Sequence, residues 1–384
     1  MNRKPISIYI HWPFCASKCP YCDFNSHIQK TIDHSEWSNA IKAELNYLVE
    51  KFLFKNLNKY YLRSIFFGGG TPSLMEPFVI KEVIKKCKEL FCYNILNKEI
   101  EITLEANPAS IFKIRLKEFL DSGINRISIG VQSFDDKFLS FLGRDHSVYE
   151  AKKAIEVSRK VFKNLSFDLI YALPKQSLKE WEISLNEAFQ FEPDHLSLYQ
   201  LTIENGTAFH NKYKNGNLVP IKSDLASKMY YMTEEITKKY KMPAYEVSNY
   251  SKLNRNCIHN LSYWKGGDWI GIGPGATSRF CLDNKRMQIN IRRDPDNWLN
   301  DVKLKKNGVS EITEETSQDY MIEKVIMGLR LVSGINLNEV SKVLKMDKLN
   351  MLIENNFLIS EENILKTTFK GRLKLNAILT EIIK

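Results

Sequence analysis

Residues 9–25 read Tyr9-Ile-His-Trp-Pro-Phe-Cys15-Ala-Ser-Lys-Cys19-Pro-Tyr-Cys22-Asp-Phe-Asn25 and overlap a short apolar run that predicts a β-strand. Three thiolates in the spacing C-x3-C-x2-C can ligate three irons of a 4Fe-4S cluster and leave the fourth iron without a protein ligand. Such an iron can chelate the amino and carboxylate groups of S-adenosylmethionine (SAM) and pass an electron to its sulfonium, which is radical chemistry that the cofactor carries. The loop therefore predicts a protein that binds a cluster and SAM, with Cys15, Cys19 and Cys22 as its metal ligands.

A structural zinc site is the main alternative for the three cysteines. Zinc sites normally close with four ligands in two pairs, and no second C-x-x-C or H-x3-H pair follows in this sequence. A disulfide framework does not fit either, because the seven cysteines are an odd number and three of them fall close together. An iron–sulfur site is therefore favoured. Cys87 and Cys92 lie in or just after an amphipathic helical pattern, and we expect both to be buried structural thiols.

The composition is that of a globular protein with room for one large domain and a smaller one, since 43% of the 384 residues are hydrophobic. No run approaches the roughly 20 apolar residues of a membrane-spanning helix, and the first residues lack the pattern of a secretory signal, so we expect a cytoplasmic protein. The formal net charge of +10 comes mostly from lysines scattered singly and in pairs. Scattered lysines are typical of a solvated surface, and we expect no nucleic-acid partner.

Short apolar runs alternate with amphipathic helical patterns in the first half of the chain. The strand candidates are residues 7–10, 64–67, 101–104, 126–129, 166–170 and 195–198, and the helical patterns are residues 37–54, 78–91, 111–121, 149–162 and 178–189. This alternation predicts a parallel α/β sheet, because parallel neighbours need a crossover of that length; a doubly wound sheet and a barrel both fit. Nearly every strand candidate ends in a polar segment, which is where α/β barrels carry their functional residues. We therefore predict an incomplete, TIM-like (β/α)6 barrel over residues 1–215.

The rest of the chain divides into two predicted parts. Residues 216–305 form a connecting region with a long helical pattern over residues 223–241, and we expect the barrel to end before it. Residues 306–384 form a smaller C-terminal domain whose helical patterns and hairpin resemble a winged-helix module. These patterns cover residues 320–331, 337–344, 347–355, 358–366 and 371–383. Winged helices often bind DNA, but they also serve as packing domains, and we favour packing here.

Polar groups that suit SAM follow the predicted strands. Phe67-Gly68-Gly69-Gly70-Thr71-Pro72 comes after the second strand, and its glycines let the backbone approach the amino group of SAM closely. Glu105, Gln132 and Asp168 belong to the next three strands; carboxylates suit ribose hydroxyls, and amides suit ribose or adenine edges. Arg144 can pair with the carboxylate of SAM. Any one of these side chains could be a cap or a loop hydrogen bonder, but their recurrence along successive strands favours a binding site.

Together these motifs resemble the coproporphyrinogen-dehydrogenase branch of the radical SAM superfamily over most of the chain. The motifs are Tyr-x-His-x-Pro-Phe-Cys-x3-Cys-x2-Cys, Gly-Gly-Gly-Thr-Pro, Glu-x-Asn-Pro, Gly-Val-Gln-Ser-Phe and Leu-Gly-Arg. The resemblance implies roles in SAM binding for Tyr9, Gly69, Gly70, Thr71, Glu105, Gln132, Arg144 and Asp168.

One position separates two members of that branch. The oxygen-independent coproporphyrinogen dehydrogenase has a fourth cysteine two positions after the third, whereas this chain has Phe24 there, in Cys22-Asp23-Phe24-Asn25-Ser26-His27. That segment is similar instead to the HemW family of heme chaperones.

A second segment, Cys257-Ile-His259-Asn260-Leu-Ser-Tyr263-Trp264, resembles the His-Asn-x-x-Tyr-Trp signature of the same family. Imidazole is a common axial heme ligand, and Tyr and Trp can stack on a porphyrin edge. His259 is therefore a candidate heme ligand, with Cys257 as a weaker second candidate. An equally good interpretation is that His259 and Asn260 hydrogen-bond the backbone while the two aromatic residues pack in the core.

The resemblance implies a heme chaperone that binds heme, a 4Fe-4S cluster and SAM and transfers heme to apo-hemoproteins, respiratory ones among them. The alternative is an enzyme, the radical SAM decarboxylase that acts on the propionate chains of coproporphyrinogen III. The sequence leaves open whether SAM is cleaved, whether the chain forms a homodimer and whether it contacts a membrane peripherally.

Overall fold

The computed structural model describes residues 3–93, 99–111, 116–283 and 285–384. Its strands are β1 (Lys4–Trp12), β2 (Phe14–Cys15), β3 (His27–Ile28), β4 (Tyr60–Gly69), β5 (Glu101–Ala106), β6 (Arg126–Gln132), β7 (Asn164–Tyr171), β8 (His195–Gln200), β9 (Asn249–Ser251), β10 (Asp268–Ile272), β11 (Thr277–Leu282), β12 (Lys285–Ile291), β13 (Val309–Glu315), β14 (Ile335–Asn336), β15 (Leu358–Glu361) and β16 (Ile364–Thr367). Its helices are α1 (His34–Leu48), α2 (Pro77–Leu90), α3 (Pro108–Ile111), α4 (Leu116–Asp121), α5 (Asp136–Phe141), α6 (Val148–Val161), α7 (Leu178–Gln190), α8 (Ala208–Lys214), α9 (Ser223–Lys239), α10 (Ile258–Trp264), α11 (Pro295–Lys305), α12 (Ser317–Gly328), α13 (Leu337–Val340), α14 (Met346–Glu354), α15 (Phe369–Arg372) and α16 (Leu375–Ile382). A π-helical turn (Val49–Leu53) and a 3₁₀ turn (Phe54–Lys59) follow α1, and further 3₁₀ turns cover Pro72–Leu74 and Ser341–Val343.

The six strands predicted in the first half of the chain are confirmed. They run parallel in the order β1-β4-β5-β6-β7-β8 at the centre of the main sheet. The sheet continues to β13 at one edge and to β9 at the other, and within the described residues no pairing joins these two edges. The predicted incomplete α/β barrel is therefore confirmed as an open sheet of parallel strands joined by helical crossovers.

Side chains alternate along the central strands. In β6, Ile127 and Ile129 are fully buried in the main apolar core, whereas Arg126 and Ser128 line a cavity. Successive side chains of a strand point to opposite faces, and each buried isoleucine stabilises the fold by about 1.5–3 kcal/mol. Strands of an ordinary parallel sheet are apolar on both faces and read as continuous hydrophobic runs. The alternation therefore places polar side chains on the face of the sheet that lines the cavity, which we call its inner face.

The crossover helices begin where the sequence supplies caps. Ser147 at the start of α6 and Ser177 at the start of α7 each accept an amide hydrogen bond, and a glutamate three positions on completes the capping box. Asp33 caps α1, which therefore begins earlier than the predicted helix over residues 37–54. The helix predicted over residues 111–121 corresponds to α3 and α4, and its part over residues 112–115 lies outside the described residues.

The predictions that Cys87 and Cys92 are buried have different outcomes. Cys87 is buried on α2, as expected. The prediction that Cys92 is buried is wrong, because α2 ends at Leu90 and the chain carries Cys92 past the cap into solvent.

None of the helices in the described ranges is both long enough and apolar enough to cross a bilayer.

Strands from the middle of the chain extend both edges of the sheet. β10 pairs in parallel with β1, with Ile6 opposite Asp268 and Ile10 opposite Ile272. β11, β12 and β13 follow as antiparallel neighbours, and β9 pairs antiparallel with β8. The sheet thus continues into the region that the sequence predicts to lie after the barrel. Because α10 directly precedes β10, this pairing brings α10 against β1 and β4.

The C-terminal part has an apolar core of its own and the element order α12-β14-α13-α14-β15-β16. Its three strands form a separate sheet in the order β14-β16-β15. This is a winged-helix arrangement, and it confirms the predicted helical patterns and hairpin. Arg286 of β12 joins this part to the main sheet, since the buried guanidinium lies 2.7 Å from Asp268 and 3.8 Å from Glu323 of α12.

Candidate functional site

The cysteine loop connects β2 to β3. These two short strands pair in parallel, with Phe14 opposite His27, and the amide of Cys22 donates to the carbonyl oxygen of Cys19 at 3.1 Å. Cys15, Cys19 and Cys22 are half-buried free thiols. All three line one cavity of about 530 Å³, which we name the cysteine cavity.

Two side chains donate hydrogen bonds to these sulfurs. Oγ1 of Thr71 lies 3.3 Å from Sγ of Cys15, and Nη1 of Arg144 lies 3.3 Å from Sγ of Cys19. Burial raises the pKa of the Cys15 and Cys22 thiols, so bound cations are needed to hold them as thiolates at neutral pH. Among the described residues no three His, Cys, Asp or Glu side chains converge on one metal ion. Cluster cysteines each ligate a different iron and need not converge in that way.

Seven of the eight predicted SAM residues share the cysteine cavity with the thiols. They are Gly69, Gly70, Thr71, Glu105, Gln132, Arg144 and Asp168. The eighth, Tyr9, lines a neighbouring cavity instead.

The glycines at the end of β4 have no room for side chains. Gly69 has a φ of +107°, and a Cβ on it would lie 2.6 Å from Cε1 of His11. A Cβ on Gly70 would lie 2.7 Å from the carbonyl oxygen of Phe14. Glycine therefore keeps the backbone close to the cavity, and the amide of Gly69 donates to Oε2 of Glu105 at 3.2 Å.

Gln132 and Arg144 carry unpaired polar atoms at this cavity. Oε1 of Gln132 and Nε of Arg144 are buried and have no hydrogen-bond partner in the described part of the chain. Gln132 also has a φ of +69°, a left-handed conformation that residues other than glycine seldom adopt and that occurs more often at functional sites. Arg144 is fixed by a 3.0 Å hydrogen bond from Nη2 to the carbonyl oxygen of Gly130. A ligand with carboxylate and hydroxyl groups would satisfy these atoms, so the cavity fits SAM and the cysteine loop beside it fits a cluster.

Glu105 and Asp168 stand between the cysteine cavity and the neighbouring one. Burial, together with the charge of Asp168, raises the pKa of Glu105 to about 8. Burial also raises the pKa of Asp168 to about 6, against the lowering effects of Ser197 and Arg126. At pH 7 the protonated form of Glu105 therefore predominates, whereas Asp168 is mostly ionised.

The neighbouring cavity has a volume of about 480 Å³ and runs along the polar face of the sheet; we name it the inner cavity. Both cavities are lined by Phe24, Gly69, Glu105, Ser128, Asp168 and Tyr199. Sequence reasoning missed Arg126, Ser197 and Trp269 of the inner cavity. The alternation in Arg126-Ile-Ser-Ile-Gly could have revealed the first of them, because a period of two predicts one polar face.

Tyr9 lies in the inner cavity and not among the cysteines. Its hydroxyl is 3.1 Å from Nδ1 of His11, whose Nε2 is 2.9 Å from the carbonyl oxygen of Asn25. Burial holds the pKa of Tyr9 well above its usual value, so the phenol is neutral. Tyr9 would reach SAM only from the side of the inner cavity.

His259 lies on α10 and forms part of the inner cavity wall, with only 1% of its surface exposed. Nδ1 is 2.9 Å from Oγ of Ser64, Nε2 is 2.7 Å from the hydroxyl of Tyr263, and the ring stacks on Phe66 at 4.9 Å between centroids. Burial, assisted by the charge of Arg126, lowers the pKa of His259 to about 3. The imidazole is therefore neutral, and both of its nitrogens are already engaged in hydrogen bonds.

Of the other residues of this segment, two line the inner cavity and two do not. Asn260 and Tyr263 line the inner cavity, whereas the ring of Trp264 lies under the guanidinium of Arg330 at 4.7 Å. Cys257 is fully buried with Sγ 3.7 Å from Oε1 of Glu101, and burial raises its pKa to about 12. Neither residue therefore lines the cysteine cavity or the inner cavity.

A three-cysteine loop beside a cavity that fits SAM, on an open sheet of parallel strands, defines a radical SAM protein. The profile of the Radical SAM superfamily matches residues 9–188. The heme chaperone HemW of Buchnera aphidicola (subspecies Acyrthosiphon pisum, strain APS) is 34% identical over 388 residues, which cover 99% of this chain and 99% of that protein. HemW of Escherichia coli strain K12 is 32% identical, with 99% and 98% covered. The chain therefore belongs to the HemW family within the radical SAM superfamily.

Two further similarities extend beyond the bacterial HemW proteins. Radical S-adenosyl methionine domain-containing protein 1, a mitochondrial protein of Dictyostelium discoideum, is 34% identical over 100% of this chain and 96% of its own length. The structure of coproporphyrinogen III oxidase (HemN) from Escherichia coli superposes with a TM-score of 0.77 at 20% identity, covering 99% of this chain and 90% of that one. At that identity the likeness to HemN shows the common fold alone.

Proposed function

We propose that this protein is a heme chaperone that binds heme, a 4Fe-4S cluster and SAM and transfers heme to apo-hemoproteins, respiratory ones among them, in the cytoplasm. Support comes from the HemW relatives, which are named heme chaperones and align with nearly the whole chain.

Phe24 is the observation that carries the proposal. It stands where the decarboxylase of the related branch has its fourth cysteine, and its side chain is 56% exposed while lining both cavities. Aromatic rings stack readily on flat macrocycles, and an exposed aromatic side chain at a cavity mouth gains stability when a ligand covers it. A porphyrin, which is flat and largely apolar, suits that position.

The cysteine cavity supplies the residues for the other two groups. Cys15, Cys19 and Cys22 would ligate the cluster, Arg144 would pair with the carboxylate of SAM, and Glu105 would accept from its ribose hydroxyls. When bound, the cluster supplies one electron and SAM supplies the bond that the electron can cleave. The chain itself would hold both groups next to the residues that line both cavities, and so beside the inner cavity.

His259 is the heme ligand that the proposal includes. Neutral imidazole is the form that ligates iron, and burial keeps this imidazole neutral. Its Nε2 is held by Tyr263 at 2.7 Å, so that hydrogen bond has to break before the nitrogen can reach an iron.

The test is a heme titration of the full chain after anaerobic reconstitution with iron, sulfide and SAM. We expect a shifted Soret band that saturates at a fixed heme-to-protein ratio, and transfer of the heme to an apo-hemoprotein added afterwards. No Soret shift would overturn the chaperone proposal. Conversion of coproporphyrinogen III to protoporphyrinogen IX by the same sample would favour the decarboxylase instead.

A further inference from the structure

Arg126, the first residue of β6, is a buried arginine with two guanidinium nitrogens that no described residue pairs. Its side chain is 2% exposed and lines the inner cavity. Nε and Nη1 are fully buried, and neither has a partner among the described residues. Buried charged donors are almost always paired, because removing them from water without replacement hydrogen bonds is costly.

The acids around Arg126 balance part of its charge, but among the described residues none of them accepts from its Nε or Nη1. Glu101 and Asp168 are the carboxylates whose charges act on the guanidinium. The oxygens of Glu101 accept instead from the amides of His259 at 3.0 Å and Ile258 at 3.1 Å. Oδ1 of Asp168 is 3.5 Å from Oγ of Ser128. Arg126 therefore lines the inner cavity with two donors, Nε and Nη1, that no described residue pairs.

The residues around Arg126 favour a carboxylate over a phosphate as the bound anion. Tyr9, Phe66 and Trp269 give the inner cavity aromatic surface, which suits the apolar body of a small organic molecule. Asp168 and Glu101 surround the guanidinium with negative charge, which disfavours a doubly charged phosphate more than a singly charged carboxylate. A carboxylate also matches the planar fork of arginine with two parallel hydrogen bonds.

We propose that the inner cavity is a second ligand site, distinct from the cysteine cavity, in which Arg126 binds the carboxylate of an aromatic or largely apolar small molecule. The carboxylate belongs either to a heme propionate, which rests on the proposed function, or to a separate organic acid. The two sources share the same contact with Arg126, and two arms of one experiment distinguish them.

The first arm uses phenylacetate and its uncharged analogue phenylacetamide as probes, titrated by calorimetry into the reconstituted full chain. Wild type should bind the acid at least about tenfold more tightly than the amide, because one charge-assisted bidentate contact is present only with the acid. Arg126→Gln should remove that preference, and Arg126→Lys should retain part of it. Arg159→Gln, which changes an arginine outside both cavities, should leave it intact. Equal binding of acid and amide by wild type, or an unchanged preference in Arg126→Gln, would overturn the proposal.

The second arm compares heme with heme dimethyl ester, which lacks the free carboxylates. If Arg126→Gln weakens binding of heme about tenfold but not of the ester, the ligand is a heme propionate. If the variant loses the preference for phenylacetate and binds heme as wild type does, the ligand is a separate acid. Failure of wild type to bind heme would overturn the proposed function alone, since the phenylacetate arm tests Arg126 without heme. Melting temperature and iron content show whether Arg126→Gln is folded. If it is not, Arg126→Lys decides: a reduced preference for the acid supports the proposal, and an unchanged preference overturns it.

Discussion

Nη1 of Arg144 donates to Sγ of Cys19 at 3.3 Å, although the two residues are 125 positions apart in the chain. The same guanidinium is held by the carbonyl oxygen of Gly130 at the end of β6, and its Nε has no partner within the described residues. Burial disfavours the charge of Arg144, but Tyr21 and Cys19 outweigh that effect and raise its pKa, so the side chain stays cationic. Arg144 thus ties the cysteine loop to the sheet and still has a donor free for a ligand.

Arg144→Lys should separate these two roles. A lysine keeps the positive charge near Cys19 but lacks the fork that reaches Gly130 and a carboxylate together. We expect iron and sulfide content to stay near that of wild type while the affinity for SAM falls about tenfold or more. Equilibrium dialysis with SAM measures the second quantity. Unchanged SAM affinity would show that Arg144 only supports the loop.

Removal of any one of the three loop cysteines should abolish the cluster. Cys15→Ala, Cys19→Ala and Cys22→Ala each leave an iron without its thiolate, so iron and sulfide content should fall to less than about a third of wild type. Cys92→Ser is the matched control, because that thiol is exposed and far from the loop in sequence. Full iron content in any of the three loop variants would contradict the assignment of that cysteine.

The affinity for SAM should increase with pH, with the change centred near the pKa of Glu105. Burial and Asp168 raise this pKa to about 8, so the carboxyl carries a proton at neutral pH. The ionised carboxylate accepts more strongly from ribose hydroxyls and is favoured by the nearby cationic sulfonium. Binding therefore releases a proton, and the affinity should rise about tenfold between pH 6.5 and pH 8.5. Glu105→Gln cannot ionise and should show a flat profile over that range. A wild-type profile as flat as that of the variant would exclude this role for Glu105.

Phe24→Ala should weaken heme binding and leave the cluster in place. The ring is 56% exposed at the mouth of both cavities, so removing it costs little stability but deprives a porphyrin of a stacking surface. We expect roughly a fivefold loss of heme affinity, the equivalent of about 1 kcal/mol of contact. Ile28→Ala is the control, since Ile28 is 61% exposed in β3, directly after the same loop, but lies outside both cavities. Equal effects of the two substitutions would contradict a specific contact at Phe24.

The central sheet and the cysteine cavity could be predicted because their signals are local. Each central strand has its own apolar run, and the strand ends bring Glu105, Gln132 and Asp168 to one edge once the strands are parallel. The cysteine spacing lies within a single loop. These features can be predicted without knowing which distant segments of the chain contact one another.

The inner cavity could not be predicted in the same way, because distant pairings form it. Ser64 and His259 share a hydrogen bond across 195 positions, and their meeting depends on the pairing of β10 with β1. β10 is a short segment in a stretch rich in glycine, so its sequence gives a weak strand signal. The lack of a described partner for Nε and Nη1 of Arg126 is likewise a property of its surroundings, which no motif encodes. Only the alternation of apolar and polar residues, as in Arg126-Ile-Ser-Ile-Gly, could have indicated that the inner face is polar.

The last prediction concerns the hydrogen bond between His259 and Tyr263. If His259 ligates heme, its Nε2 first has to leave the Tyr263 hydroxyl at 2.7 Å, and that bond opposes heme binding by about 1 kcal/mol. Tyr263→Phe removes the competitor, so heme affinity should rise about fivefold, whereas His259→Ala should lower it at least tenfold. The double variant should behave like His259→Ala, because the tyrosine acts only through the imidazole. Tyr213→Phe, a change at an exposed tyrosine, controls for the loss of a hydroxyl. If heme titrations give the same Soret shift and affinity for wild type, Tyr263→Phe and His259→Ala, then His259 is a structural residue that joins α10 to Ser64 of β4, and the heme ligand lies elsewhere.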